Sequence, residues 1–136
     1  MYSQCLQESL HFQVLWMRIR DVETQEILWE SQEDMTFSEI EQRVEIPVTC
    51  GGIIREIKFS SFKTIPWFCM EQKLVFKGKD LNKWSFESSH SGEKTVTAME
   101  IVRIPVDILS GEISMVTKFT VKDYIISINK LRFFRK

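Results

Sequence analysis

Histidine is scarce in this chain, and that scarcity excludes much chemistry. Among 136 residues there are two, His11 and His90, and neither lies at ligand spacing from a second histidine or a cysteine. A zinc site draws on three or four convergent nitrogen or sulfur ligands, so no metal site is expected. The three cysteines, Cys5, Cys50 and Cys69, are odd in number, widely spaced and free of any C-x-x-C pair. A reduced cytosolic protein fits that pattern better than a disulfide scaffold, and the absence of an N-x-S/T acceptor agrees. No G-x-S-x-G elbow exists, and no cysteine has a plausible histidine base. Ser91-Gly92-Glu93-Lys94-Thr95 ends like a phosphate loop but lacks its first glycine and its Gly-Lys pair, and reads as an ordinary loop. No enzyme and no cofactor are expected.

Charge and hydropathy narrow the field further. A formal net charge of −1 gives no electrostatic footprint for nucleic acid or for a polybasic membrane anchor. No apolar run approaches the roughly 20 residues that cross a bilayer, so stable membrane insertion is not expected. Met1-Tyr2-Ser3-Gln4 lacks the basic and apolar regions of a secretory signal, and Tyr2 stands where N-myristoylation needs glycine. Phe133-Phe134-Arg135-Lys136 carries no prenylation box. The carboxylates between Asp21 and Glu45 sit in turns or alternate with apolar residues, as a solvated face does. Lys130, Arg132, Arg135 and Lys136 interleave with aromatics as in a single-strand nucleic-acid binder, yet Lys130 and Arg132 share one parity and read as the outer face of a terminal strand.

What is present is a succession of short strands. One domain over residues 1–136 is long enough to bury most of its apolar surface. Ser3 caps a predicted short helix over residues 3–10, with Leu6 and Leu10 on one side. Phe12–Arg20 is rich in strand formers, the turn Glu23-Thr24-Gln25 follows, and Ile27–Trp29 resumes the pattern. Val44–Val48 and Ile53–Phe59 flank Gly51-Gly52, a dipeptide suited to a tight hairpin, and Pro47 marks an edge or a strand end. Lys73–Phe76, Trp84–Glu87 and Ile101–Ile104 come next, with Gly78 at a turn and the polar stretch Ser88–Lys94 as a candidate mobile loop. Ile113–Phe119 alternates with Ile113, Met115 and Phe119 inward, and Tyr124–Phe134 offers Ile125, Leu131 and Phe133 on one face. Eight or nine short strands broken by turns predict an all-β, antiparallel β-sandwich.

Two positions break the alternation. In Ile53-Ile54-Arg55-Glu56-Ile57-Lys58-Phe59, period two puts Arg55 on the same face as Ile53, Ile57 and Phe59. In Met70-Glu71-Gln72-Lys73-Leu74, it puts Gln72 between Met70 and Leu74. A charge on an apolar face costs several kcal/mol unless it is paired, or reaches water or a ligand. An inter-sheet ion pair or a place at the sandwich rim answers this, and so does a pocket with polar handles. Trp16, Trp29, Trp67, Trp84 and ten phenylalanines fill a core or line such a pocket.

Trp16-Met17, Arg20-Asp21, Glu23-Thr24, Ile27-Leu28-Trp29 and Glu33-Asp34 resemble the first third of the family of the delta subunit of rod cyclic-GMP phosphodiesterase, the delta-type prenyl-binding proteins. The likeness continues through Arg55-Glu56, Phe59-Ser60-Ser61, Glu71-Gln72-Lys73, Phe76-Lys77-Gly78, Trp84 and Phe86. It resumes at Pro105, Leu109, Gly111 and Thr117-Lys118-Phe119, and so covers nearly the whole chain. The uncoordinated-119 group, whose partners are N-myristoylated or lauroylated, and the Rho GDP-dissociation inhibitors are related in fold.

The resemblance implies an immunoglobulin-like β-sandwich with an apolar cavity between its sheets and a short N-terminal helix. It implies a monomeric soluble carrier for the farnesyl or geranylgeranyl group of prenylated Ras-like or Rho-like small GTPases, moving them between membranes. GTP-bound Arf-like GTPases are the implied releasing partners, by extension of a sheet edge. The implied location is the cytoplasm, with the cilium as a further site. Carried over by position, the pocket residues are Met17, Ile19, Trp29, Met35, Ile46, Ile57, Trp84, Phe86, Ile104, Met115, Leu131 and Phe133, with Arg55 and Gln72 as its polar residues. The other readings are an interaction module regulating a partner enzyme without lipid uptake, and an acyl carrier for myristoyl or lauroyl groups. The chain departs from the family in three places. Its end lacks the usual final tyrosine hydroxyl, the stretch Glu87–Met99 is shorter and lacks a Phe-Gly-Phe continuation, and Arg103 replaces an apolar lid residue.

Overall fold

The computed structural model describes residues 2–38 and 40–136. A seven-residue helix, α1 (Gln4–Leu10), is capped by Ser3, whose hydroxyl accepts from the Leu6 amide at 3.1 Å. His11 ends it in the left-handed region, and its amide bonds back to the Gln7 and Glu8 carbonyls. Leu6 and Leu10 lay the apolar side of this helix against the core.

Nine strands follow: β1 (Gln13–Asp21), β2 (Ile27–Glu30), β3 (Gln42–Ile46), β4 (Gly52–Ser61), β5 (Ile65–Phe76), β6 (Lys79–His90), β7 (Lys94–Arg103), β8 (Ile113–Val121) and β9 (Tyr124–Arg135). They form a two-sheet sandwich. One sheet has the order β2-β1-β4-β7, and the other β3-β9-β8-β5-β6. Alternation produces it. In β8 every second residue from Ile113 to Val121 is buried, and in β4 Ile53, Arg55, Ile57 and Phe59 all face inward. Phe12, Phe59, Phe68 and Phe119 pack ring against ring at the α1 end, with centroids 4.8–6.2 Å apart. The β5–β6 hairpin turns on Lys77 and Gly78, both with positive φ (49° and 79°), as a two-residue primed turn requires.

Several expectations are corrected. The sandwich is not wholly antiparallel, because β3 runs parallel to β9. That follows from the failure of the Gly51-Gly52 hairpin. β3 and β4 belong to different sheets, neither glycine has positive φ, and Gly52 is the first residue of β4. Gly52 matters for space instead, since a Cβ there would meet Val22 Cγ1 at 3.1 Å and the Val102 carbonyl at 3.4 Å. The expected loop Ser88–Lys94 is the end of β6, a three-residue turn and the start of β7. Its polar residues are strand residues on a half-solvated sheet edge, and Gly92 (φ 74°) and Glu93 (φ 53°) make the tight passage between sheets. Ile125 does not join the core. The register slips between Phe119 and Thr120, so Ile126 is buried in its place.

Candidate functional site

The pairing registers set two rows of side chains across the interior. On the four-stranded sheet, Trp29, Ile19, Arg55 and Glu100 lie side by side on β2, β1, β4 and β7. On the facing sheet the corresponding row is Trp84, Gln72, Thr117 and Asn129, on β6, β5, β8 and β9. Both rows point inward because their neighbours two residues away are the core residues. Each therefore places polar groups in the middle of an apolar interior.

Arg55 has no accessible surface and is the largest fully buried side chain. Its Nη1 approaches Met70 Sδ at 3.9 Å on the opposite sheet, a weak contact for a cation. Its Nε and Nη2 have no protein partner. Burial pulls its pKa down to about 10, and Glu100, directly across the β4–β7 ladder, pulls it back up. The guanidinium is therefore still charged at neutral pH. Burial raises the Glu100 carboxyl, and Arg55 opposes that rise. The two are ladder neighbours without being an ion pair, since no guanidinium nitrogen of Arg55 lies within 4 Å of a Glu100 carboxylate oxygen. An unpaired buried charge of this kind costs several kcal/mol.

The facing row is also incompletely bonded. Gln72 Oε1, Thr117 Oγ1 and Asn129 Oδ1 are buried and lack protein partners. Asn129 is oriented by its own Nδ2, which donates to the Met35 carbonyl at 3.2 Å, so its oxygen is the free end.

Of the residues carried over to the pocket, Met17, Ile19, Met35, Ile46, Ile57, Ile104, Met115, Leu131 and Phe133 are buried members of one core cluster, together with buried Arg55 and Gln72. Trp29, Trp84 and Phe86 are half-buried against it, on the end strands β2 and β6. Trp84 and Phe86 stack at 5.7 Å, and Phe86 meets Phe68 edge-on at 6.0 Å. The cavities described on the molecule lie elsewhere. One of about 560 Å³ is lined by Tyr2, Gln4, Phe37, Ser38, Ile128 and Lys130, and one of about 330 Å³ lies between α1 and Asp34–Thr36.

Sequence reasoning missed Thr117, Asn129 and Glu100. The signal existed, because Thr117 shares parity with Met115 and Phe119, and Asn129 with Leu131 and Phe133. Arg103 is exposed, on the outer side of β7, while Ile104 turns inward. Near the end of the chain, Arg135 is half-buried and is held by the backbone. Its guanidinium donates to five carbonyls: Pro47 (3.3 Å), Val48 (3.2 Å), Cys50 (2.9 Å), Pro105 (2.8 Å) and Ile108 (3.3 Å). It thereby bolts together the β3–β4 and β7–β8 connections at one end of the sandwich.

Among the described residues, no group of three or more His, Cys, Asp or Glu side chains is arranged to hold a metal ion, and no helix is long and apolar enough to cross a membrane. The family model described as GMP-PDE, delta subunit matches residues 7–134, and the chain belongs to that family.

Proposed function

We propose that this member of the delta-subunit family is a soluble carrier of prenylated proteins, which takes the farnesyl or geranylgeranyl group of Ras-like or Rho-like small GTPases between its two sheets. The observation that carries this reading is Arg55, a fully buried cation with two unpartnered nitrogens, set among the apolar core residues Ile53, Ile57 and Met70. A lipid tail alone would leave that charge unanswered. A prenyl-cysteine supplies both a hydrocarbon chain and carbonyls that accept from the Arg55 guanidinium and the Gln72 side-chain NH2.

The energetics suit a shuttle. A farnesyl chain has fifteen carbons, and burial at ~0.8 kcal/mol per CH₂ equivalent gives on the order of 10 kcal/mol gross. Association costs bring the net affinity into the nanomolar-to-micromolar range. A bilayer offers the same group a similar transfer energy, so the carrier competes with membranes without overwhelming them. Release by a GTP-bound Arf-like GTPase belongs to the same proposal. It is supported by β7, the end strand of its sheet, with Met99 and Ile101 exposed along it. The place of work is the cytoplasm, with delivery to the cilium included.

The test is a fluorescence titration with a labelled, farnesylated and carboxymethylated C-terminal peptide, beside its unprenylated twin and an N-lauroylated peptide. Saturable binding of the farnesyl peptide alone is expected. Preference for the lauroyl peptide would make the protein an acyl carrier. Binding of none would leave an interaction module that works through its sheet edges.

A further inference from the structure

The inner row Gln72–Thr117–Asn129 holds unpartnered oxygens that carbonyl recognition, which needs donors, does not use. Thr117 and Asn129 have no accessible surface, and neither Thr117 Oγ1 nor Asn129 Oδ1 has a protein partner. They lie on β8 and β9 in direct register with each other and with Gln72. Adjacent strands are about 4.8 Å apart, so the row spans roughly 10 Å across the sheet. Arg55 reaches this wall from the opposite sheet at Met70, the inward neighbour of Gln72. The middle of the sandwich thus has hydrogen-bond donors on one wall and acceptors on the other. A saturated or prenyl chain crossing this band would leave these buried oxygens without a donor.

One small group answers both walls. A trans peptide unit is planar and points its C=O and N–H in opposite directions. Resting on the carrier reading above, we propose that Thr117 and Asn129 accept the N–H of the lipid-bearing cysteine while Arg55 donates to the carbonyl of that same peptide unit. The chain then recognises a lipid attached to a peptide amide, and discriminates against free isoprenoids, fatty acids and other lipids without an N–H at that point. Thr117 and Asn129 are the specificity-determining residues of this step.

The experiment compares two probes by calorimetric titration. One is N-acetyl-S-farnesylcysteine methyl ester. The other is its depsi analogue, in which an ester oxygen replaces the amide N–H and both carbonyls remain. The wild-type protein is expected to prefer the amide about tenfold, the value of one buried hydrogen bond. Thr117→Val, an isosteric change, and Asn129→Leu should each reduce that preference to about twofold or less. Thr117→Val alone suffices where Asn129→Leu loses the bond to the Met35 carbonyl and with it the fold. Equal binding of both probes by the wild type would overturn the subsite and leave the carrier standing. An amide preference unchanged in Thr117→Val and Asn129→Leu would also overturn it. Binding of neither probe would overturn both readings.

Discussion

Arg55 puts stability and binding in opposition. A fully buried guanidinium with two unpartnered nitrogens and only a thioether near the third is a cost to the folded state, and an apolar side chain of similar length removes that cost. Arg55→Met is therefore expected to stabilise the protein by about 1–3 kcal/mol in urea unfolding. The same change should weaken farnesyl-peptide binding by roughly 1–3 kcal/mol, through loss of a buried hydrogen bond. A variant that lost stability as well as affinity would show that Arg55 is held for structure. Glu100 makes a pH prediction. Burial raises its carboxyl above the ordinary 4.5, so the folded state favours the protonated form. That contribution is fully present below the unfolded value and is lost as pH rises through the raised one. Glu100→Gln should then gain stability relative to wild type as pH rises from 4 to 7, measured by urea melts. Arg55 and Gln72 were legible in the sequence because a charge and an amide interrupt obvious apolar alternation. Thr117, Asn129 and Glu100 were not, since threonine, asparagine and glutamate on a strand are as common on a solvated face. Parity with Met115 and Leu131 hints at the inward face for Thr117 and Asn129, and the facing wall decides it.

At the scale of elements, the connections carry this chain's own character. Gly111 has φ 79°, donates its amide to the Phe133 carbonyl at 2.8 Å, and leaves no room for a Cβ, which would meet Phe134 Cε1 at 2.9 Å. Gly111→Ala should cost about 1–3 kcal/mol, read by thermal unfolding. Arg135 performs for two longer connections what Gly111 does for one turn, tying residues 47–50 to residues 105–108. Arg135→Met is expected to lose about 2–4 kcal/mol, with hydrogen exchange rising first in those two segments. Propensity and turn residues marked most elements, including α1, the Gly78 turn and β8. They misplaced the connections that cross between sheets. Gly51-Gly52 looks like a hairpin locally, but hairpin geometry holds only within one sheet, and here the glycine leaves space for Val22 and Val102. Ser88–Lys94 misled for a related reason, since a strand on a solvated edge has the composition of a loop.

At the scale of the molecule, the sequence carries the two-sheet sandwich in its alternation, but not the pairing of the sheets. The parallel β3–β9 contact joins residues 89 positions apart, such as Gln42 and Leu131, and no local pattern encodes it. The same arrangement makes ligand uptake a matter for the whole fold, because the inner faces of both sheets form one core and anything between them binds the native state alone. Mass action then ties occupancy to stability. At one hundred times its dissociation constant, a ligand of this kind adds about 2.7 kcal/mol. For a chain of this size that corresponds to a rise in Tm of roughly 8–14 °C. Differential scanning fluorimetry with the farnesylated peptide should show that rise and its unprenylated twin should show none. Arg55→Met should begin from a higher Tm and gain less. A partner that binds only a sheet edge would stabilise the protein whether or not its peptide carried a lipid, so equal shifts with the two peptides would place the interaction outside the sandwich.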